Sequence, residues 1–171
     1  MCAKRVMDIM RPVEYPVIPE DMSLRASWEV LCRFIFSAQQ NSHCNQPYLL
    51  VCNGDDQLVG MLGMRDMLKM FNKRIMAAVQ KIPGFYEGNL HGYLLENCEY
   101  PVKQITSMPE EIMLKSWDST YTALRLMLKY RMDVLSVVNI YHKAIGMVHS
   151  DDVYQDLGLN PRYLDYWRLM A

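Results

Sequence analysis

Two short apolar runs, each followed by a polar turn and a second apolar run, punctuate the chain: Tyr48 to Cys52 with Leu58 to Leu62, and Val134 to Val138 with Ala144 to Val148. Apolar runs of this length, bounded by turn residues, predict buried β-strands. The turns, Asn53-Gly54-Asp55-Asp56 and Asn139-Ile140-Tyr141-His142-Lys143, both open on asparagine, whose side chain hydrogen-bonds its own backbone two residues on. Ahead of each hairpin the apolar spacing changes to that of a helix, with Leu24, Trp28, Leu31 and Ile35 in one case and Leu124, Met127 and Leu128 in the other. Candidate N-caps stand before each helix: Asp21 or Ser23, and Asp118 or Ser119. Short extended segments precede them, Val13 to Ile18 and Ile112 to Leu114, and a further helix starts near Arg65 or Asp151. Each half of the chain therefore reads β-α-β-β-α, an α/β (α+β) architecture.

The two halves also match residue by residue. Leu49-Leu50-Val51-Cys52-Asn53 lies over Leu135-Ser136-Val137-Val138-Asn139, and Leu58-Val59-Gly60-Met61-Leu62 over Ala144-Ile145-Gly146-Met147-Val148, with Asp66 over Asp152. Identities at Leu49/Leu135, Val51/Val137, Asn53/Asn139, Gly60/Gly146, Met61/Met147 and Asp66/Asp152 far exceed the roughly one that ordinary residue frequencies supply over so short a stretch. Upstream, Asp21-Met22-Ser23-Leu24 aligns with Asp118-Ser119-Thr120-Tyr121. The first copy carries an insertion between its helix and its first central strand, the polar stretch Ser37 to Gln46, read as a loop. A repeat of this kind makes one structural unit per copy.

These signals set boundaries at 1–72 for the first copy, 73–100 for a connecting helical segment, 101–158 for the second copy and 159–171 for a C-terminal helix. In the connector, Ile75, Met76, Val79 and Ile82 continue a helix until Pro83-Gly84, and Tyr93-Leu94-Leu95 forms one more helical piece. The amphipathic tail Tyr163 to Met170 is expected to cover either the chain's own core or, by a slight preference, a partner subunit.

Composition narrows the functional classes. Hydrophobic residues make up 51% and charged residues 22% of the 171 positions, an ordinary globular balance. A formal charge of -1 provides no whole-molecule attraction for nucleic acid or an anionic membrane, so neither is an expected partner. Lys4, Arg5, Asp8 and Arg11 occupy the first residues without an apolar core behind them, which reads against a secretory leader. The cysteines, Cys2, Cys32, Cys44, Cys52 and Cys98, are odd in number and show no C-x-x-C spacing, which argues for a reducing, cytoplasmic setting rather than a disulfide framework. His43, His91, His142 and His149 are scattered, giving no metal-ligand spacing. No nucleophile motif, P-loop or dinucleotide fingerprint is present, so no enzymatic activity is expected.

The repeated β-α-β-β-α order, with a strand ending in Asn and a later Gly-apolar-apolar-x-x-x-Asp, resembles the cystathionine-β-synthase (CBS) domain over Lys4 to about Gly158. The resemblance implies two motifs packed sheet to sheet about a pseudo-two-fold axis, with clefts between them that hold AMP, ADP, ATP or S-adenosylmethionine as a regulatory ligand rather than a required cofactor. It also implies a homodimer acting on a separate target protein. The implied ligand residues are Asp66 and Asp152, as acceptors for ribose hydroxyls at a strand-to-helix turn.

Both copies depart from the family's Thr/Ser at the phosphate-facing position. The first reads Gly60-Met61-Leu62-Gly63-Met64-Arg65-Asp66, and the second Gly146-Met147-Val148-His149-Ser150-Asp151-Asp152. Gly63 permits close backbone approach and Arg65 is a candidate phosphate partner. His149 can donate to phosphate and Ser150 can substitute one residue later, which makes the second copy the better site. Two competing readings stand beside this one. Asp66 and Asp152 are placed equally well to cap their own helices, and the chain as a whole can be a dimeric interaction or scaffold module whose clefts have lost their ligand.

Overall fold

The computed structural model of the chain describes residues 4–38, 47–70, 99–106 and 112–158. In chain order these form α1 (Val6–Ile9), β1 (Val17–Pro19), α2 (Leu24–Ala38), β2 (Tyr48–Cys52), β3 (Leu58–Gly63), a helix α3 over residues 64–70, a 3-10 turn (Val102–Gln104), β4 (Leu114–Lys115), α4 (Thr120–Tyr130), β5 (Val134–Val138), β6 (Ala144–His149) and α5 (Ser150–Asp156). The helix continuing through Ile82, the piece at Tyr93 to Leu95 and the C-terminal helix lie outside the described residues.

Asparagine makes both hairpins. Asn53 Oδ1 accepts from the amides of Asp55 (3.0 Å) and Gln57 (2.9 Å), and Asn139 Oδ1 accepts from those of Tyr141 (2.9 Å) and Lys143 (3.0 Å). The fourth turn residue is left-handed in each, Asp56 at φ 59° and His142 at φ 60°. The strands that follow repeat as closely. β2 pairs parallel with β1 and antiparallel with β3, β5 does the same with β4 and β6, and each central strand is irregular at one equivalent step, Val51/Cys52 or Val137/Val138. Two sheets result, ordered β1-β2-β3 and β4-β5-β6.

The helix caps shift the upstream alignment by one residue. Ser23 Oγ accepts from Ala26 N (3.2 Å) and Ser119 Oγ from Thr122 N (3.1 Å), so serine is the cap in both copies and Ser23 corresponds to Ser119, not to Thr120. Asp118 instead accepts from Lys115 N, at 2.8 Å. In α2 the expected stripe is inside: Leu24 and Leu31 are fully buried, with Trp28 and Ile35 packed against the same core. In α4 the buried positions are Thr120, Ala123, Leu126 and Met127, while Leu128 is 65% exposed. Starting the helix at Thr120 turns its apolar stripe away from Leu128. α2 also runs through Ala38, with Ser37 Oγ bonding back to Phe34 O, so the expected loop starts later than Ser37.

Of the two compact units one is a continuous stretch of chain and the other is not. One consists of Tyr15–Met108, the other of Met1–Glu14 with Pro109–Ala171. The linear boundaries read from the sequence, 1–72 and 101–158, therefore differ from the units. In the first unit Val102 is fully buried in the core with Leu49, Val51, Leu62 and Met67. Its amide donates to Met22 O (2.9 Å), and Tyr100 O accepts from Leu24 N (3.0 Å). In the second unit Val6, also fully buried, donates to Asp118 O (2.8 Å), and Lys4 O accepts from Thr120 N (3.2 Å). The amides of Leu24 and Thr120 open their helices and have no partner within them, so the incoming segment supplies the acceptor. Burying one valine side chain in this way is worth about 1.5–3 kcal/mol.

The N-terminal segment then lies along the free edge of β6. Arg11 N donates to Met147 O (2.8 Å) and Met147 N to Arg11 O (2.9 Å). Such close approach needs a glycine next door: a Cβ on Gly146 would meet Arg11 O at 2.9 Å and Met10 Sδ at 3.0 Å. Gly146→Ala should therefore cost about 1–3 kcal/mol, whereas Gly54→Ala, with nothing within 4 Å of its Cβ, should stay within about 0.5 kcal/mol. Urea unfolding of the two variants compares them directly.

Candidate functional site

The two aspartates that the repeat superposes have different surroundings. In the first unit Asp66 Oδ2 accepts from the amide of Gly63 (3.3 Å), and Oδ1 lies 3.6 Å from Lys69 Nζ. This is the reach of an acid in the first turn back to the cap residue, the capping arrangement of a helix start. The neighbouring space is filled: a Cβ on Gly63 would come within 2.9 Å of Tyr48 Cε1. The absent side chain thus makes room for the Tyr48 ring, which packs edge-on to Tyr15 at 6.0 Å, and Tyr15 in turn to Phe34 at 5.9 Å. Arg65 is exposed.

In the second unit Asp152 sits in the first turn of α5, and Arg11, held by its backbone on the edge of β6, reaches it. Arg11 NH2 donates to Asp152 Oδ1 at 2.6 Å, with side-chain exposures of 35% and 17%. The other carboxylate oxygen, Oδ2, is buried and accepts no hydrogen bond. The bond to Asp152 raises the Arg11 pKa against the opposing effect of burial, and the charges of Asp152, Glu14 and Asp151 add to the rise. His149, the residue before α5, is half-buried. Burial and then the charge of Arg11 lower its pKa, opposed by Asp152, Glu14 and Asp151. Ser150 is half-buried, and its amide donates to Asp133 O at 2.8 Å. A second ion pair, Lys4 Nζ to Asp156 Oδ1 at 3.1 Å, fastens the same N-terminal segment to α5.

The structure thus gathers Asp152 and His149 around Arg11, and joins Gly63 to Asp66 through a capping bond. Arg11, Glu14 and Tyr48 were not among the residues singled out from the sequence. The equal intervals from Val6 to Ser23 and from Val102 to Ser119 mark the two incoming segments as equivalent, but they carry no signal that brings Arg11 to Asp152. Among the described residues no group of three or more His, Cys, Asp or Glu side chains is placed to hold a metal ion, and no helix is long and apolar enough to cross a membrane.

No family model and no curated protein matches this sequence. Solved structures do match the fold. It is similar to CBSX2 in complex with AMP, at 19% identity and a TM-score of 0.58, over 90% of this chain and 95% of that one. It is similar to a CBS domain-containing protein from Bacillus anthracis str. Ames Ancestor, at 16% identity and a TM-score of 0.63, over 91% and 93%. A CBS domain pair in complex with 5′-methylthioadenosine and S-adenosyl-L-methionine matches at 16% identity and a TM-score of 0.56, over 92% and 98%. The fold of this chain is that of a tandem CBS domain pair.

Two stability effects follow from the Arg11 cluster. Arg11→Ala leaves the Asp152 carboxylate mostly buried without its donor and should lower unfolding free energy by about 1–3 kcal/mol, toward the lower value because both side chains keep some solvent. The second effect depends on pH. With the folded-state pKa of His149 depressed, the unfolded chain takes up that proton first on acidification. The associated stability is present above the ordinary histidine value and is lost as pH falls through the folded one. Between about pH 7 and 5, urea unfolding should show a steeper loss for the wild type than for His149→Gln.

Proposed function

We propose that this CBS-fold chain is a regulatory module that senses an adenosine-containing ligand through its second copy, with Asp152 accepting the ribose hydroxyls. The observation that carries this reading is Asp152 Oδ2, a carboxylate oxygen that is buried and accepts nothing. A buried acceptor without a partner costs roughly 1–3 kcal/mol, and a vicinal diol supplies the donors that remove that cost. Arg11 holds the other oxygen and so fixes the carboxylate for the task. Two of the similar solved structures are complexes with adenosine compounds, which supports the ligand class. The cluster offers donors and acceptors but no nucleophile held by an orienting base, so the proposed role is binding without turnover. In this reading the module works in the cytoplasm as a homodimer and passes its state to a separate target chain.

The first copy favours a different reading, a structural one. Asp66 caps α3 and Tyr48 occupies the space beside Gly63, so this half serves as scaffold for the other. Thermal-shift titration with AMP, ADP, ATP and S-adenosylmethionine should give a stabilisation that grows with ligand concentration. In calorimetric titration at equal folded fraction, Asp152→Ala should bind about 30- to 150-fold more weakly, equivalent to roughly 2–3 kcal/mol of charge-assisted hydrogen bonding, while Asp66→Ala should bind as the wild type does. An unchanged affinity in Asp152→Ala would reduce that residue to the partner of Arg11 and leave the scaffold reading for both copies.

A further inference from the structure

The two copies share a backbone closely enough that each is a control for the surface of the other. Met7 N donates to Ser116 O (2.9 Å) as Lys103 N does to Glu20 O (3.0 Å), and Val6 N to Asp118 O (2.8 Å) as Val102 N does to Met22 O (2.9 Å). The hairpin turns match bond for bond as well. Where exposed side chains differ systematically between these frames, the fold does not require the difference.

Such a difference marks one end of the second unit. β4 and β5 run parallel with Lys115 opposite Val138, so residues 116–118 and the turn 139–143 leave the sheet together. Met7 is bonded to Ser116 there, and α4 begins a few residues on, at Thr120. Met7, Trp117, Tyr121, Ile140 and Tyr141 are all between 53% and 68% exposed. Their equivalents in the first unit are Lys103, Asp21, Arg25, Gly54 and Asp55, every one polar or glycine and every one exposed. The three aromatic side chains alone present on the order of 300 Å² to solvent, the scale at which an apolar patch marks an interaction site. Trp, Tyr and Met are also the residues that protein interfaces favour at their centres.

Charge changes in the same direction. Arg5, Arg125 and Lys143 are exposed at this end, with Lys115 half-buried, where the first unit has Pro101, Glu29, Gln57 and Pro19. Asp8 and Asp118 are here too, each accepting from a backbone amide, Arg5 N at 2.9 Å and Lys115 N at 2.8 Å. The first unit instead exposes Asp21, Glu29, Asp55 and Asp56. An apolar centre with a cationic border repels a second copy of the same face and attracts an acidic one. Cations this few, interleaved with two acids, fall short of the basic clusters that hold anionic lipid or the continuous groove that tracks a nucleic-acid strand.

We propose that this end of the second unit docks an acidic, amphipathic segment of a separate protein chain. Its apolar side chains pack on Met7, Trp117, Tyr121, Ile140 and Tyr141, and its carboxylates face Arg5, Arg125 and Lys143. The surface lies at the opposite end of β6 from the start of α5 and Asp152, about 17 Å along the strand. Docking here and ligand binding at Asp152 therefore stand independently of one another.

Fluorescence-anisotropy titration of the full chain tests the proposal. The probe is a synthetic peptide roughly 16 residues long, with Leu and Phe on one helical stripe and Glu elsewhere, beside a twin with Lys in place of each Glu. The acidic peptide should bind about 10-fold or more tightly than the basic twin, by a margin that shrinks in high salt. Trp117→Asp/Tyr141→Asp, which substitutes the residue types of the first unit, should weaken the acidic peptide about 10-fold or more without moving the urea midpoint. Tyr121→Arg, at another point of the same face, should weaken it as well, and Asp21→Ala/Asp55→Ala in the first unit should bind as the wild type does. Equal binding of the two peptides, binding of neither, or a Trp117/Tyr141 double variant that binds like the wild type would overturn the proposal. A wild-type dimer that this double variant dissociates in sedimentation would assign the face to a second copy. Association with phosphatidylserine vesicles that it abolishes would assign the face to a membrane. Either result overturns the docking of an acidic partner.

Discussion

The amides that open α2 and α4 must find acceptors outside their helices, as the first amides of any helix must. In this chain the acceptors are Tyr100 O for Leu24 and Lys4 O for Thr120, carried by segments that lie far away in sequence. Each segment brings a fully buried valine with it, Val102 or Val6, so hydrogen bonding and apolar burial act at the same place. Without the incoming segment a helix would start on an unpaired amide and a core would lack a side chain. This requirement brings residues 4–14 into the second unit and makes that unit discontinuous. The candidate site depends on it directly, because Arg11 is part of that segment.

From there the two copies diverge by small steps. Both place an aspartate in the third position of a helix that follows a strand. Where the preceding residue is Gly63, a tyrosine ring packs into the space of the missing side chain and the acid turns back to the Gly63 amide. Where it is His149, the edge of β6 is bordered by Arg11 and the acid is drawn to the guanidinium instead. One copy thereby satisfies its aspartate locally, while the other leaves an oxygen buried and unpaired. A repeat need not keep two equal sites when its outer layer differs.

The sequence by itself determined whatever depends on neighbours along the chain. Periodicity located both hairpins, and the side chains of Asn53 and Asn139 close both turns because an Asx hydrogen bond spans only a few residues. The repeat order identified the fold, and the equivalence of Asp66 and Asp152 was legible from spacing. The capping alternative was legible too, since a cap bond is local. The choice one residue finer was not: Ser119 rather than Asp118 as cap, and Leu128 on the exposed side of α4, follow from where the helix begins in space. Only tertiary structure decided that the N-terminal segment completes the unit of the second copy, that Arg11 meets Asp152 across 141 positions, and that Tyr48 fills the space beside Gly63. Those are contacts between residues with no sequence proximity, and no local propensity or period encodes which distant side chain will arrive.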